Sequence, residues 1–426
     1  MGTIVEKARS AIARVESMGD RATGIFTEFD PQRILDDAAR AETAVEGSSR
    51  ALPLAGMLVS VKDLFDEAGY RTTAGSRLLA DQPPAGADSD VVARMKAAGA
   101  VMFGRTAMSE FAYSGVGLNP HHGTPGNALD ASRIPGGSTS GGALTVALGI
   151  CDIALGTDTG GSVRIPAAAN GIYGFKPSQS AVSRQGVHPL SQTLDSVGPL
   201  AGDLTTTIDA FEVMSGGRRP SAKSRREPLR LAKPRGALTN ELDEPIADAF
   251  DDACENIAKH GHEIREIELG FLQDALFVNK IIVSVEAHAI YAGSLHRLEE
   301  VGDPRVLKRI RFAETLSKTE IQDAYRLRAD TVRRFGEVLT GFDGLLAPTL
   351  QILTPTIADT EADFDRLNAA MLRNPSLINL ADGCAITMPV GGGGGGQAHA
   401  LMIAGSSGTD WRILDIAETL RPMLPA

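Results

Sequence analysis

Asp152-Ile153-Ala154-Leu155-Gly156-Thr157-Asp158-Thr159-Gly160-Gly161-Ser162-Val163-Arg164 is the stretch on which the fold turns. Residues 152–155 read as a short buried strand. The Gly- and Thr-rich run after them reads as a turn, leading into a helix-like segment. The pattern recurs upstream, where Pro135-Gly136-Gly137-Ser138-Thr139-Ser140-Gly141-Gly142 precedes a helical segment over 143–148. Further out, Met57-Leu58-Val59-Ser60-Val61 is an apolar run bounded by Gly56 and by Lys62-Asp63, which predicts a buried strand. Ser89 caps a predicted helix through Ala98, with Val91, Val92 and Met95 on one face and Gly99 as its stop. Val101-Met102-Phe103 follows as another strand. This alternation predicts an α/β fold around a central, largely buried sheet.

The rest of the chain fits around that centre. Ile4, Ala8, Ile12 and Val15 fall at helical spacing, and a second helix is expected over 31–45. Helical periodicity marks 243–259 and 276–334. Residues 345–347 and 400–403 read as strands, and 409–424 as a closing helix. The polar, basic run 216–228 reads as an exposed connection, after which a helical excursion is expected over about 230–340. No internal repeat of fixed period is visible, so residues 1–426 read as one domain.

Composition removes several classes of function. A net charge of −11 over 426 residues lacks the basic footprint of a nucleic-acid binder or of a protein held on an anionic membrane. Hydrophobic residues at 43% and charged ones at 22% exclude a mostly disordered chain. Cys151, Cys254 and Cys384 are scattered and odd in number, so neither a disulfide framework nor a structural zinc site is expected, and the compartment reads as reducing and cytoplasmic. The uncharged stretch 383–409 contains six consecutive glycines, Gly391 to Gly396, and is not a spanning helix. Those glycines formally contain GxGxxG, but no helix signal follows them, so a dinucleotide site is not expected. The eight histidines form no metal-binding spacing, and neither GxSxG nor a Walker loop occurs. No metal and no cofactor is expected.

What remains is the density of Ser, Thr and Gly in two turns. Consecutive N–H groups at such turns suit a phosphate or a developing oxyanion, although ordinary strand–helix turns have the same composition. Lys62 ends an apolar strand, where desolvation would lower its pKa; a drop of about two to three units from 10.4 would make it a usable base. A serine nucleophile needs such a base, and no histidine stands in a suggestive context.

Pro53-Leu54-Ala55-Gly56, Val59-Ser60-Val61-Lys62-Asp63 and Thr73-Ala74-Gly75-Ser76 resemble the lysine region of the amidase signature family. Pro135-Gly136-Gly137-Ser138 and the run Gly156 to Ala167 resemble its two serine motifs. Gly171 to Pro177 and Leu194-Asp195-Ser196-Val197-Gly198-Pro199 continue the likeness, which is dense over 53–199 and thinner near 343–349 and 379–391. The resemblance implies a mixed, largely buried sheet covered by helices on both faces, with 53–199 as the catalytic core. It also implies a Ser–Ser–Lys triad, with Ser162 as nucleophile, Ser138 as bridge and Lys62 as base. Ser138 lies 24 residues before Ser162, the interval the family keeps; Ser140 is the rival bridge.

The same likeness implies a cis peptide bond at Gly137–Ser138 and an oxyanion hole built from the N–H groups of Thr159, Gly160, Gly161 and Ser162. Asp158 and Arg164 are expected to fix the loop of the nucleophile, or Arg164 to meet a substrate carboxylate. Met108, Phe111 and Tyr113 are candidates for an acyl pocket. Tyr325 and Arg328 resemble residues that grip ureides or carboxylates in some relatives. The implied activity is hydrolysis of a small amide or ureide through an acyl-enzyme, with release of ammonia or an amine. Homodimers are frequent in the family. Two alternatives stand beside it. One is a glutamine-hydrolysing component of an amidotransferase, for which the chain looks short. The other is a catalytically silent protein binding an anion in the Gly-rich turns.

Overall fold

The computed structural model describes residues 3–220, 228–272, 275–393 and 396–425. The chain opens with α1 (Ile4–Ser17), β1 (Phe26–Glu28) and α2 (Pro31–Gly47). Thr3 and Glu6 form a reciprocal cap on α1, and Asp30 caps α2 ahead of Pro31, which has no N–H to satisfy. Then come β2 (Leu58–Lys62), α3 (Asp90–Ala97), β3 (Val101–Thr106), α4 (Ser140–Ala147), β4 (Ile153–Asp158) and α5 (Arg164–Ala169). They lead to β5 (Tyr173–Lys176), β6 (Ser196–Ala201) and α6 (Leu204–Ser215). The second half holds β7 (Arg230–Arg235), α7 (Glu244–Lys259), β8 (Glu263–Glu268), α8 (Ala275–Tyr291), α9 (Leu295–Val301), α10 (Pro304–Arg311) and α11 (Lys318–Leu339). It closes with β9 (Gly344–Pro348), α12 (Ile357–Ala362), α13 (Phe364–Leu380), the hairpin β10 (Cys384–Gly393) and β11 (Gln397–Gly405), and α14 (Asp410–Leu420).

All strands join one mixed sheet in the order β1-β3-β2-β4-β6-β5-β10-β11-β9-β7-β8. Every residue of β2, β3, β4, β5, β6 and β9 is buried, as expected for strands covered on both faces. β2 runs parallel to β3 and β4, so the loops leaving all three emerge on one side, the side on which open α/β sheets gather ligands. β6 runs antiparallel to β4 with Asp158 opposite Ser196, which brings the residue before β6 to that same side.

The outer edge is different. β8 exposes Arg265, Glu266 and Glu268, and Arg235 of β7 pairs with Glu266. The expected helical excursion over 230–340 is therefore corrected: it opens with β7 and includes β8, both in the sheet. Residues 276–334 are not one helical run. A one-turn break at Ala292–Ser294, the Asp303 cap ahead of Pro304 and the Ser317–Glu320 capping box divide them into α8 to α11. The stretch Gly270–Val301 is long and apolar enough to cross a bilayer by composition, but Val278, Ile281, Ile282 and Val283 are buried where α8 packs on α10, α11 and α13. Of the basic connection expected at 216–228, residues 221–227 lie outside the described residues, as do 394 and 395 of the glycine run. Cys151, Cys254 and Cys384 are buried and free.

Candidate active site

Lys62 is the last residue of β2 and is fully buried. The register that sets Val61 against Leu155 carries Lys62 to the end of β4. There its Nζ donates to Ser138 Oγ at 2.8 Å and to Thr157 Oγ1 at 2.9 Å. Burial pushes the Lys62 amine down to about 7, against the pull of Asp158 and Asp195, whose negative charges favour its protonated form. Ser138 is also buried, and the Gly137–Ser138 peptide bond is cis. Ser140, at the start of α4, donates its hydroxyl to the Ala107 carbonyl at 3.2 Å. Of the two candidate bridging serines, Ser138 is the one in contact with Lys62.

The loop between β4 and α5 is organised by Asp158. Its carboxylate accepts from Gly161 N at 2.8 Å, from Val163 N at 3.2 Å, and from Arg164 Nη2 and Nε at 2.9 and 3.1 Å. Burial pushes the Asp158 carboxyl up, but Arg164, Lys176 and Asn379 outweigh it and hold the group at about 2. Arg164 has no exposed surface and also donates to Asn379 Oδ1 at 2.6 Å and to the Pro375 carbonyl at 2.9 Å, so it clamps the loop onto α13. Gly161 has φ +130°, and a Cβ there would lie 2.6 Å from Pro375 Cβ, so only glycine fits.

One expectation changes here. The resemblance implies four N–H groups as oxyanion donors, but that of Gly161 is committed to Asp158. Among the described residues, the N–H groups of Thr159, Gly160 and Ser162 make no hydrogen bond. Ser162 is tied to the other serine loop through its carbonyl, which accepts from Thr139 N at 3.3 Å. Its Oγ has no hydrogen-bond partner among the described residues, and the residue lines a cavity of about 1410 Å³. Lys62 and Ser138 are thus in direct contact, and Ser162 stands on the adjoining loop at the cavity wall.

Thr159, Gly160 and Tyr113 also line this cavity, together with residues of α8, α10 and α13. Met108 does not: its side chain belongs to the core, and Phe111 stacks on Tyr291 at 4.1 Å. Tyr325 and Arg328 are not among the lining residues either; Tyr325 donates to Glu286 at 2.9 Å and Arg328 to the Thr193 carbonyl at 3.2 Å. Reading the sequence alone misses Arg309. This residue of α10 lines the cavity with its guanidinium 4.4 Å from the Tyr113 ring centre, and its Nη1 is shielded from solvent without a hydrogen-bond partner. Other lining cations are paired, Lys308 with Asp365, Arg311 with Glu299, Arg366 with Asp363 and Arg373 with Glu241. Of the cations lining the cavity, Arg309 and Lys280 have no carboxylate partner among the described residues. The only local sign of Arg309 is a basic turn in an amphipathic segment, which resembles any solvated helix face.

Comparison with known proteins agrees with this architecture. The Amidase family model matches residues 6–414. A 2-amino-5-chloromuconic acid deaminase of Comamonas testosteroni is 31% identical over 92% of this chain and 87% of its own. A glutamyl-tRNA(Gln) amidotransferase subunit of Symbiobacterium thermophilum is 31% identical over 97% of this chain and 92% of its own. A crystal structure of an amidase superposes with a TM-score of 0.90 at 29% identity, covering 99% of this chain and 96% of that one. The protein is an amide-hydrolysing enzyme of α/β architecture. It belongs to the amidase signature family. The chain covers 92% of the Symbiobacterium amidotransferase subunit, so its length does not set that alternative aside.

Proposed function

We propose that the protein hydrolyses the C–N bond of a small amide carrying a negatively charged group, through an acyl-enzyme on Ser162. The observation that carries this reading is the 2.8 Å contact between Ser138 Oγ and a fully buried Lys62 amine that burial brings to about 7. Neutral Lys62 takes the proton of Ser138, which takes that of Ser162 as Ser162 Oγ forms a bond to the carbonyl carbon. The oxyanion meets the free N–H groups of Thr159, Gly160 and Ser162, donors of a kind worth about 3–4 kcal/mol each to the transition state. As the C–N bond breaks, the proton returns through Ser138 to the leaving nitrogen. Water then attacks the ester, its proton passing through Ser138 to Lys62; as the bond to Ser162 Oγ breaks, that proton returns through Ser138 to Ser162 and the acid leaves.

The charge of the substrate is argued from Arg309. A buried guanidinium nitrogen with no partner is costly unless a ligand supplies an acceptor, and a carboxylate fits its paired N–H groups. The name of the Comamonas relative, a deaminase of an organic acid, is in keeping with this. A panel of amides and ureides with and without a carboxylate, read by ammonia release, tests the proposal. Acid amides should be preferred, and Arg309→Ala should raise their KM about 10- to 100-fold, the value of a charge-assisted hydrogen bond. Equal rates on neutral and acidic amides overturn the charge assignment.

The second reading, a glutamine-hydrolysing component of an amidotransferase, is favoured by the match to the Symbiobacterium relative. Glutamine is itself an acid amide. Ammonia release from glutamine that rises on adding candidate partner proteins would select this reading. A catalytically silent anion binder is the weaker reading; a fluorophosphonate adduct on Ser162 rules it out. We place the enzyme in the cytoplasm, working on a small molecule without nucleic acid, membrane or cofactor, as a monomer or homodimer.

A further inference from the structure

We infer that Asp195 is a positioning residue that holds Thr159 in the oxyanion loop and whose carboxylate charge bears on the Lys62 amine. The inference rests on the Lys62–Ser138–Ser162 reading. Asp195 is buried immediately before β6, on the side of the sheet where β2 and β4 end. Its Oδ1 accepts the Thr159 hydroxyl at 2.6 Å, and its Oδ2 accepts the N–H groups of Leu190 and Ser191 at 2.9 and 3.0 Å. All three partners donate, which suits the ionised carboxylate, an acceptor only. Thr159 lines the cavity and is the first of the three residues with a free N–H, so its side-chain tether fixes the backbone that carries that N–H.

The loop 190–195 is fastened from behind by Glu286 of α8. That carboxylate accepts Ser191 Oγ at 2.5 Å and Thr193 N at 2.9 Å, and it also accepts the hydroxyls of Thr193 and Tyr325. The charged groups bearing on Lys62 are Asp158 from β4 and Asp195 from the entry to β6; both favour its protonated form. Burial pushes the Asp195 carboxyl up, while the hydrogen bonds from Thr159, Leu190 and Ser191 and the charge of Arg184 in the preceding loop act to lower it. Asp158 is already neutralised by Arg164, and Asp195 has no such ion pair among the described residues.

The test is the pH dependence of kcat/KM in Asp195→Asn. Removing the charge should move the acid limb to lower pH by about one unit, because Lys62 then loses its proton more readily. The plateau should fall about 100-fold as the oxyanion loop loses its anchor. A merely structural residue would lower the plateau or the Tm without moving the limb. Should Asp195→Asn not fold, Thr159→Val and Thr159→Ser carry the test. Valine should lower kcat about 10- to 100-fold with KM little changed, and serine, which keeps the hydroxyl, should restore it. An unmoved acid limb in folded Asp195→Asn, or equal kcat for the valine and serine variants, overturns the inference. Turnover near the wild-type rate by Ser162→Ala or Lys62→Met would overturn the underlying reading instead.

Discussion

Two lysines are buried in the central sheet, and they live in opposite surroundings. Lys62 at the end of β2 donates at short range to two hydroxyls, Ser138 and Thr157, with the Thr157 carbonyl farther off at 3.5 Å. Lys176 at the end of β5 donates to two backbone carbonyls, those of Pro177 and Gly383, both at 2.7 Å. Burial lowers the pKa of both. Depressed basicity is therefore not what marks a base. The partner is: a hydroxyl has a proton to give, whereas a carbonyl has only lone pairs, so Lys176 serves as a bracket between β5 and the start of β10.

The widest separation of the two is expected in turnover. Ser162→Ala should lose about 10⁶-fold in kcat, the scale of nucleophile removal, and Lys62→Met about 10⁴-fold, both read by ammonia release with circular dichroism unchanged. Lys176→Met should leave the surviving folded enzyme with its wild-type pH profile while lowering Tm, because two buried carbonyls lose their donor at about 1–3 kcal/mol each. If Lys176→Met instead shifts the acid limb, the contrast is broken.

A narrower contrast separates the serines. Ser138→Ala should cost about 10³-fold in kcat, as loss of a proton relay does, whereas Ser140→Ala, which removes only a bond to the Ala107 carbonyl, should stay within a few-fold. Reversal of that order would reassign the bridge.

The smallest effects are those of pH. As the proposed base, Lys62 would have to be neutral to act, so kcat/KM should fall tenfold per unit below about pH 7. For stability the sign is opposite to that of a salt-bridged lysine. In the unfolded chain the amine titrates near 10.4, so between there and about 7 the unfolded state binds a proton that the folded state lacks. Stability should fall as pH drops through that window and level off below it. Lys62→Met should flatten this slope and raise Tm at pH 8 by about 2–4 °C, measured by thermal melts from pH 6 to 10.

The legibility of the chain follows the range of the forces involved. Lys62, Ser138 and Ser162 stand in motifs dense enough to read locally, and the strands at 57–61, 101–103 and 152–155 are continuous apolar runs that only burial explains. β5 and β6 are short and interrupted by Gly174, Gly198 and Pro199, and β7 and β8 alternate with charge at an exposed edge, so no apolar run announces them. Arg309 is harder still. Nothing within α10 distinguishes it from Lys308 or Arg311; only the folding of α10 against Tyr113 and the cavity leaves it unpaired. The engagement of Gly161 N by Asp158 is likewise a matter of loop conformation, which side-chain chemistry does not encode.

The charged rim formed by β7 and β8 bears on how copies of this enzyme meet. At one end of the sheet β1 has only three residues, and at the other Glu263, Arg265, Glu266 and Glu268 ring the last strand. Neither margin is a template on which a second sheet would zip: the first is too short, and the second would have to take its charges out of water. Self-association that extends the strands from one copy to the next is thereby discouraged.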